Sequence, residues 1–165
     1  MKLISSTRKA KWMSEKLLVF WAYIVEVIAS AVIVVLTLSV FEFSEVIGFV
    51  YSSSKDIASN FAVVLLAASL GLFWTFYSKS DSPFVQWLHE KGAFSVYARS
   101  FLFSIGVYVL LVVSLILTMN ISSSAMAIFS LWLSVLGLVN VYSLIKNTYD
   151  LMKLNALFNR KKGSP

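Results

Sequence analysis

The sequence predicts an all-α membrane protein with four transmembrane helices, and three observations carry this prediction. Hydrophobic residues make up 59% of the chain and charged residues 13%, whereas about a quarter of a soluble domain is charged. Each of four continuous apolar runs is long enough for a helix to cross a bilayer, which takes about 20 residues. The Lys and Arg residues cluster in the segments that would lie on one side of the membrane. The runs lie at about 17–40, 57–77, 96–119 and 124–145.

The first run, 17–40, follows a basic segment and imitates a signal peptide, with Ala29-Ser30-Ala31 resembling a cleavage site. The apolar run continues past that site, and Glu26 would interrupt the hydrophobic region of a signal peptide. We therefore expect an uncleaved first membrane helix.

The remaining runs are separated by short polar stretches. Glu42, Glu45 and Asp56 fall in a predicted loop before 57–77, and the turn Asn120–Ser123 joins the last two runs. No stretch outside the runs is long enough for a soluble domain. We expect one four-helix domain over residues 1–165.

Charge predicts the orientation. Of the 14 Lys and Arg residues, Lys55 is the only one outside the N-terminal segment, the region Ser78–Ser100 and the tail. Because cytoplasmic loops carry the excess of Lys and Arg, both termini and the middle loop are predicted to be cytoplasmic in a multi-pass protein of the cell inner membrane. The basic flanks also suit anionic lipid headgroups. No pattern indicates direct nucleic-acid binding.

Enzyme motifs are missing from the sequence. The chain has no Cys, and its one histidine, His89, stands in "HEKGA" without the second histidine of a zinc helix. The six glycines form no phosphate-binding loop. We expect a non-enzymatic protein without a metal or a cofactor.

Glu26 is the one ionisable side chain between Leu17 and Val40. Counted from Leu17 at about 1.5 Å per residue, it lies about 14 Å deep, near the bilayer midplane. A carboxylate there should face other helices, and the candidate partners are Arg99, Asn140 and Tyr142. Two interpretations remain open, namely an interhelical hydrogen bond that fixes packing and a site for a proton, a cation or permeation.

Two apolar patterns predict a surface for a cytoplasmic protein partner. From Ser143 to Lys162 the chain has no Gly or Pro, so helix four is expected to extend as an amphipathic tail over 146–162, projecting into the cytoplasm or lying flat on the headgroups. The second pattern lies in the loop after Pro83. The candidate partner-binding residues are Trp87, Leu88, Leu151, Leu154 and Phe158.

The segment "YIVEVIAS" resembles the first helix of the small multidrug resistance transporters, whose membrane glutamate exchanges protons for cationic drugs. This resemblance implies that Glu26 is a proton and substrate site. The chain departs from those transporters in its longer loops, its strong Lys/Arg asymmetry and a third helix that has Gly106 but no Trp.

The overall plan resembles small four-helix membrane proteins of prokaryotic phage defence, among them the membrane subunit of the Kiwa system and the membrane protein of lambdoid Rex exclusion. "HEKGAFSVYARSF" holds the place of the Rex stretch before helix three, and "YDLMKL" is comparable to the short charged tail after helix four. The resemblance implies a homo-oligomeric membrane sensor or effector that works with a cytoplasmic partner. Small-residue pairs such as Ala58 with Ala62 and Ala67 with Gly71 would allow close helix contacts.

Overall fold

The computed structural model describes the backbone of residues 3–162 and the side chains of residue 21 and residues 23–160. Within that part of the chain, helices alternate with short connections and there is no strand. A π-helical segment, Ile57–Ala62, joins the second and third α-helices. The α-helices are α1 (Leu3–Val40), α2 (Phe43–Asp56), α3 (Val63–Ser78), α4 (Pro83–Glu90), α5 (Phe94–Asn120) and α6 (Ser124–Lys162).

Four of these helical stretches are long and apolar enough to cross a membrane. They lie at Tyr23–Val40, Phe43–Ser78, Phe94–Asn120 and Ser124–Arg160. The prediction of an all-helical chain with four membrane-spanning helices is therefore confirmed at this level.

The second spanning helix begins at Phe43, so the predicted start at residue 57 is wrong. The sequence reading assigned Glu45, Lys55 and Asp56 to a loop because they are charged. In the structure these three side chains are exposed on the outer side of α2, while Val46 and Val50 on its inner side are buried. An amphipathic helix accommodates the charges without a break.

Successive spanning helices run in opposite directions, so the start of α1 and the end of α6 lie at the same end of the bundle as α4. We call this the α4 end, and the opposite end, with the connections at 41–42 and 121–123, the turn end. α6 packs against both α1 and α5, and α3 packs against α5. The main core between these helices comprises Ala58, Ala62, Val107, Leu111, Leu115, Leu133 and Leu136.

α5 approaches α6 closely at Gly137. The Tyr108 hydroxyl donates a hydrogen bond to the Gly137 carbonyl at 3.2 Å. A Cβ at residue 137 would contact the fully buried Tyr108 ring at 3.4 Å, whereas a Cβ at Gly106 would meet open space. A side chain larger than that of alanine at residue 137 would therefore press against the ring.

Exposed Trp and Tyr side chains gather toward the α4 end. Such residues are enriched where a membrane meets water, so they indicate the bilayer boundary at this end of the bundle. They include Trp21, Trp74 and Tyr77.

Candidate functional site

Glu26 is buried between α1 and α6, and α6 supplies a hydrogen-bond donor to each carboxylate oxygen. The Asn140 side-chain amide donates to Oε2 at 3.0 Å, and the Ser143 hydroxyl donates to Oε1 at 2.5 Å. Asn140 is 2% exposed and Glu26 9%. The carboxyl group therefore joins two spanning helices through one hydrogen bond at each oxygen.

Of the three partners considered from the sequence, the structure brings Asn140 to Glu26 and leaves the other two outside. Tyr142 is 70% exposed, because it lies two residues after Asn140 and so on nearly the opposite face of α6. Arg99 is also exposed and makes no hydrogen bond to Glu26. The intramembrane site thus excludes Tyr142 and Arg99 and includes Ser143.

The Glu26 carboxylate forms part of a polar cleft of about 250 Å³ between α1, α5 and α6. Across the cleft, the Asn147 amide donates to the Ser100 hydroxyl at 2.6 Å and ties α6 to α5. Three ionisable side chains of both signs, Glu26, Lys146 and Asp150, line it. The other lining residues are Tyr23, Val96, Tyr97, Ser100, Ser143 and Asn147.

Glu26 lies at the level of Ser143, which is 19 residues beyond the start of α6 at Ser124. At 1.5 Å per residue, the carboxyl group is about 28 Å along α6 from the turn end. Its depth in a bilayer, counted from Leu17 along α1, stays a prediction.

The amide of Asn140 suits both protonation states of the carboxyl group. Its Nδ2 donates to Glu26, while its Oδ1 is buried and has no hydrogen-bond partner among the described residues. Rotating the amide would offer Oδ1 as an acceptor to a protonated carboxyl group, since a carboxylic acid donates one hydrogen bond. The cluster can thus hold Glu26 charged or neutral.

Between the Glu26 cluster and the turn end, the described bundle contains a layer of large apolar side chains, and buried serines beside it donate to carbonyls of their own helix. Leu111, Leu115, Leu133 and Leu136 are each at most 3% exposed. Beyond this layer, the hydroxyls of Thr118 and Ser130 lie 2.8 Å apart. The cleft at Glu26 is therefore accessible from the α4 end, and the leucine layer closes it toward the turn end.

The candidate partner-binding residues of α4 and the tail contact one another. The Phe158 ring lies 5.8 Å from that of Phe84 and 5.7 Å from that of Trp87. Leu88 is fully buried, while Leu151 and Leu154 are half-buried. Leu88 therefore belongs to the interior of the chain and is not available to a partner, which corrects its predicted role.

The position of α4 follows from its ends and its buried face. Ser82 caps the helix by accepting a hydrogen bond from the Val85 amide at 3.3 Å, and Pro83 occupies the first turn, where its missing N–H costs nothing. Val85 and Leu88 turn inward. Between α3, α4 and α6 remains an open apolar groove of about 420 Å³, with Leu151 and Phe158 in its wall.

Sequence reasoning missed Ser143, Ser100 and Asn147. The signal for Ser143 was present, since it follows Asn140 by three residues and so lies on the same helix face. The pairing of Asn147 with Ser100 joins residues far apart in the chain, and no local pattern indicates such a pair.

Among the described residues, no three His, Cys, Asp or Glu side chains are placed to hold a metal ion. Comparisons of the chain with family models, with curated proteins and with solved structures found no match.

Proposed function

We propose that the protein is a non-enzymatic inner-membrane subunit of prokaryotic phage defence, a sensor or effector that assembles as a homo-oligomer and acts with a cytoplasmic partner. One observation carries the proposal. α6 is a single helix of 39 residues that binds Glu26 of α1 and, further along, contacts α4 through Phe158.

The continuity of α6 supports a relay between membrane and cytoplasm. Asn140 and Ser143 hold α1, while Phe158 on the same helix holds α4. A shift or rotation of α6 that changes one contact therefore changes the other, because a helix moves as a rigid element. The part of α6 after Ile145 is about 25 Å long, enough to project from the membrane surface.

Charge supports placing the α4 end in the cytoplasm. Among the described side chains, every Lys and Arg except Lys55 lies just before or just after α4, or in the parts of α5 and α6 at the α4 end. This distribution follows the preference of basic residues for the cytoplasmic side. The role in phage defence rests on the resemblance described above, with which the four-helix plan agrees.

The test is an affinity purification from native membranes in mild detergent, with the mass of the complex measured. We expect several copies of the chain together with one cytoplasmic protein. A complex that contains this chain alone would contradict the proposed cytoplasmic partner. A monomer would contradict the proposed homo-oligomer.

A second candidate function is a proton-coupled transporter or an ion channel that uses Glu26. The observation that favours it is the polar cleft, which brings Glu26 near Asp150 and Lys146 and opens at the α4 end. In proteoliposomes, a transporter should dissipate an imposed pH gradient, and Glu26→Gln should abolish the flux. Flux that persists in Glu26→Gln would exclude Glu26 as the coupling residue.

A further inference from the structure

An exposed apolar stripe runs along the side of α6 that faces away from the bundle. We call these five residues the outer stripe. Each is between 59% and 70% exposed, whereas Asn140 and Leu144 on the inner face are at most 5% exposed. The outer stripe consists of Leu138, Tyr142, Ile145, Tyr149 and Met152.

The spacing of the outer stripe is that of a coiled coil. Successive members are separated by four, three, four and three residues, which is the alternation of a and d positions in a heptad repeat. Ala156 and Asn159 continue the same spacing and are exposed. Such a pattern keeps one line of side chains directed at a parallel neighbouring helix.

The outer stripe crosses the membrane boundary, and this decides what can cover it. Leu138 and Ile145 lie in the apolar run of α6, whereas Tyr149 and Met152 lie beyond Lys146 among charged residues. Lipid tails would cover only the part of the stripe that lies in the apolar run. A helix of a soluble protein would cover only the part beyond Lys146. A neighbour that is itself a membrane helix continuing into the cytoplasm covers both.

We propose that α6 of a second copy of this chain covers the outer stripe, in a parallel helix pair that begins in the membrane and continues past it. This pair specifies one interface of the homo-oligomer, so it rests on the homo-oligomeric part of the proposed function. Two copies with the same topology present α6 in the same direction, so the pair is parallel.

The charges beside the outer stripe fit a parallel pair. Lys146 and Lys153 occupy e positions, and in a parallel pair e positions meet g positions of the other helix. Lys146 would then face Val141 of the second copy, and Lys153 would face Thr148, so no two cations meet. An antiparallel pair would bring e positions against e positions and place Lys beside Lys.

Cysteine crosslinking tests the pair directly, because the chain has no Cys of its own. Single-Cys variants at each residue from 138 to 157 are treated in native membranes with a short bis-maleimide. We expect dimer bands that peak at the outer stripe and at Ala156. The matched controls are Leu157→Cys, which is exposed but off the stripe, and Trp74→Cys, which is exposed on α3; both should stay monomeric.

Uniform crosslinking along α6, no crosslinking, or bands at the mass of a different protein would each overturn the inference. These outcomes correspond to random collision, coverage by lipid and a different occupant.

A variant that disrupts the helix pair supplies an independent test. In the Ile145→Cys background, Tyr149→Lys should remove the dimer band, because it places a cation in the apolar contact of both copies. Leu157→Lys, which adds the same charge off the stripe, should leave the band. A band that survives Tyr149→Lys would count against the pair.

The failure of this inference is distinguishable from failure of the proposed function. If the native complex still contains several copies by mass while the outer stripe does not crosslink, the interface is wrong and the oligomer stands. If the mass is that of a monomer, the homo-oligomeric part of the proposed function fails as well.

Discussion

At the scale of single residues, the Glu26 cluster illustrates how a carboxylate is accommodated in an apolar helix. Burial of a charged group is costly unless hydrogen bonds replace its contacts with water. Asn140 and Ser143 provide one donor for each oxygen. This geometry accounts for the packing of Glu26 between α1 and α6.

Paired substitutions measure this hydrogen bond. Glu26→Leu should lower the free energy of unfolding by about 1–3 kcal/mol, because it leaves the buried Asn140 amide without an acceptor. Glu26→Gln should cost less, since the amide oxygen still accepts from Asn140. The double variant Glu26→Leu with Asn140→Leu should recover part of the loss. Thermal unfolding in detergent would measure the stability of each variant. If the two single losses of stability simply add in the double variant, a direct contact between Glu26 and Asn140 is contradicted.

A comparison of two glycines tests the contact of α5 with α6. Gly137→Leu should destabilise the protein, because the new side chain meets the Tyr108 ring and an overpacked core costs about 1–3 kcal/mol. Gly106→Leu is the control, since its site is open, and it should leave the melting temperature unchanged or raise it. Equal effects of the two substitutions would argue against the close approach.

At the scale of elements, α4 and the end of α6 form one apolar unit. α4 has eight residues, too few for a helix to be stable in water by itself. Its position therefore depends on the burial of Val85 and Leu88 and on the contact of Trp87 with Phe158. The spacing of Leu151, Leu154 and Phe158 predicted a surface for a cytoplasmic partner, and in the structure Phe158 contacts α4 of the same chain.

We expect Phe158→Ser to release α4. Its loss removes the aromatic contacts with Phe84 and Trp87, so the amides of residues 83–90 should exchange hydrogen faster. Leu157→Ser is the matched control, because Leu157 is a neighbouring exposed residue. Binding of a cytoplasmic partner should weaken with the release of α4 while membrane insertion persists. Unchanged exchange in Phe158→Ser would show that α4 is held by other contacts.

At the scale of the whole molecule, the distribution of charge predicts which side of a membrane the α4 end occupies. Glu42 and Ser122 are exposed at the turn end, and Glu90 is exposed at the α4 end. If the basic α4 end is cytoplasmic, reagents that cannot cross the membrane will reach only the turn end.

Cysteine labelling in intact cells tests this orientation. Glu42→Cys and Ser122→Cys should react with an impermeant maleimide, and Glu90→Cys should react only after permeabilisation. The reverse pattern would overturn the assignment of the termini to the cytoplasm.

The sequence by itself determined the all-helical class and the existence of four spanning helices, because the length and composition of an apolar run depend only on neighbouring residues. It also singled out Glu26 and Asn140, since polar side chains inside apolar runs need partners. The start of α2 at Phe43 was missed because the charges of this helix are exposed on one face, which a search for uncharged runs cannot recognise.

Only the tertiary structure decided which side chains meet. It joined Glu26 to Ser143 and excluded Tyr142 and Arg99, because the rotation of α6 about its axis is set by packing against α1 and α5. It also buried Leu88, because α4 folds back onto the bundle. Each of these results depends on contacts between residues far apart in the chain, and the local pattern of a sequence does not contain them.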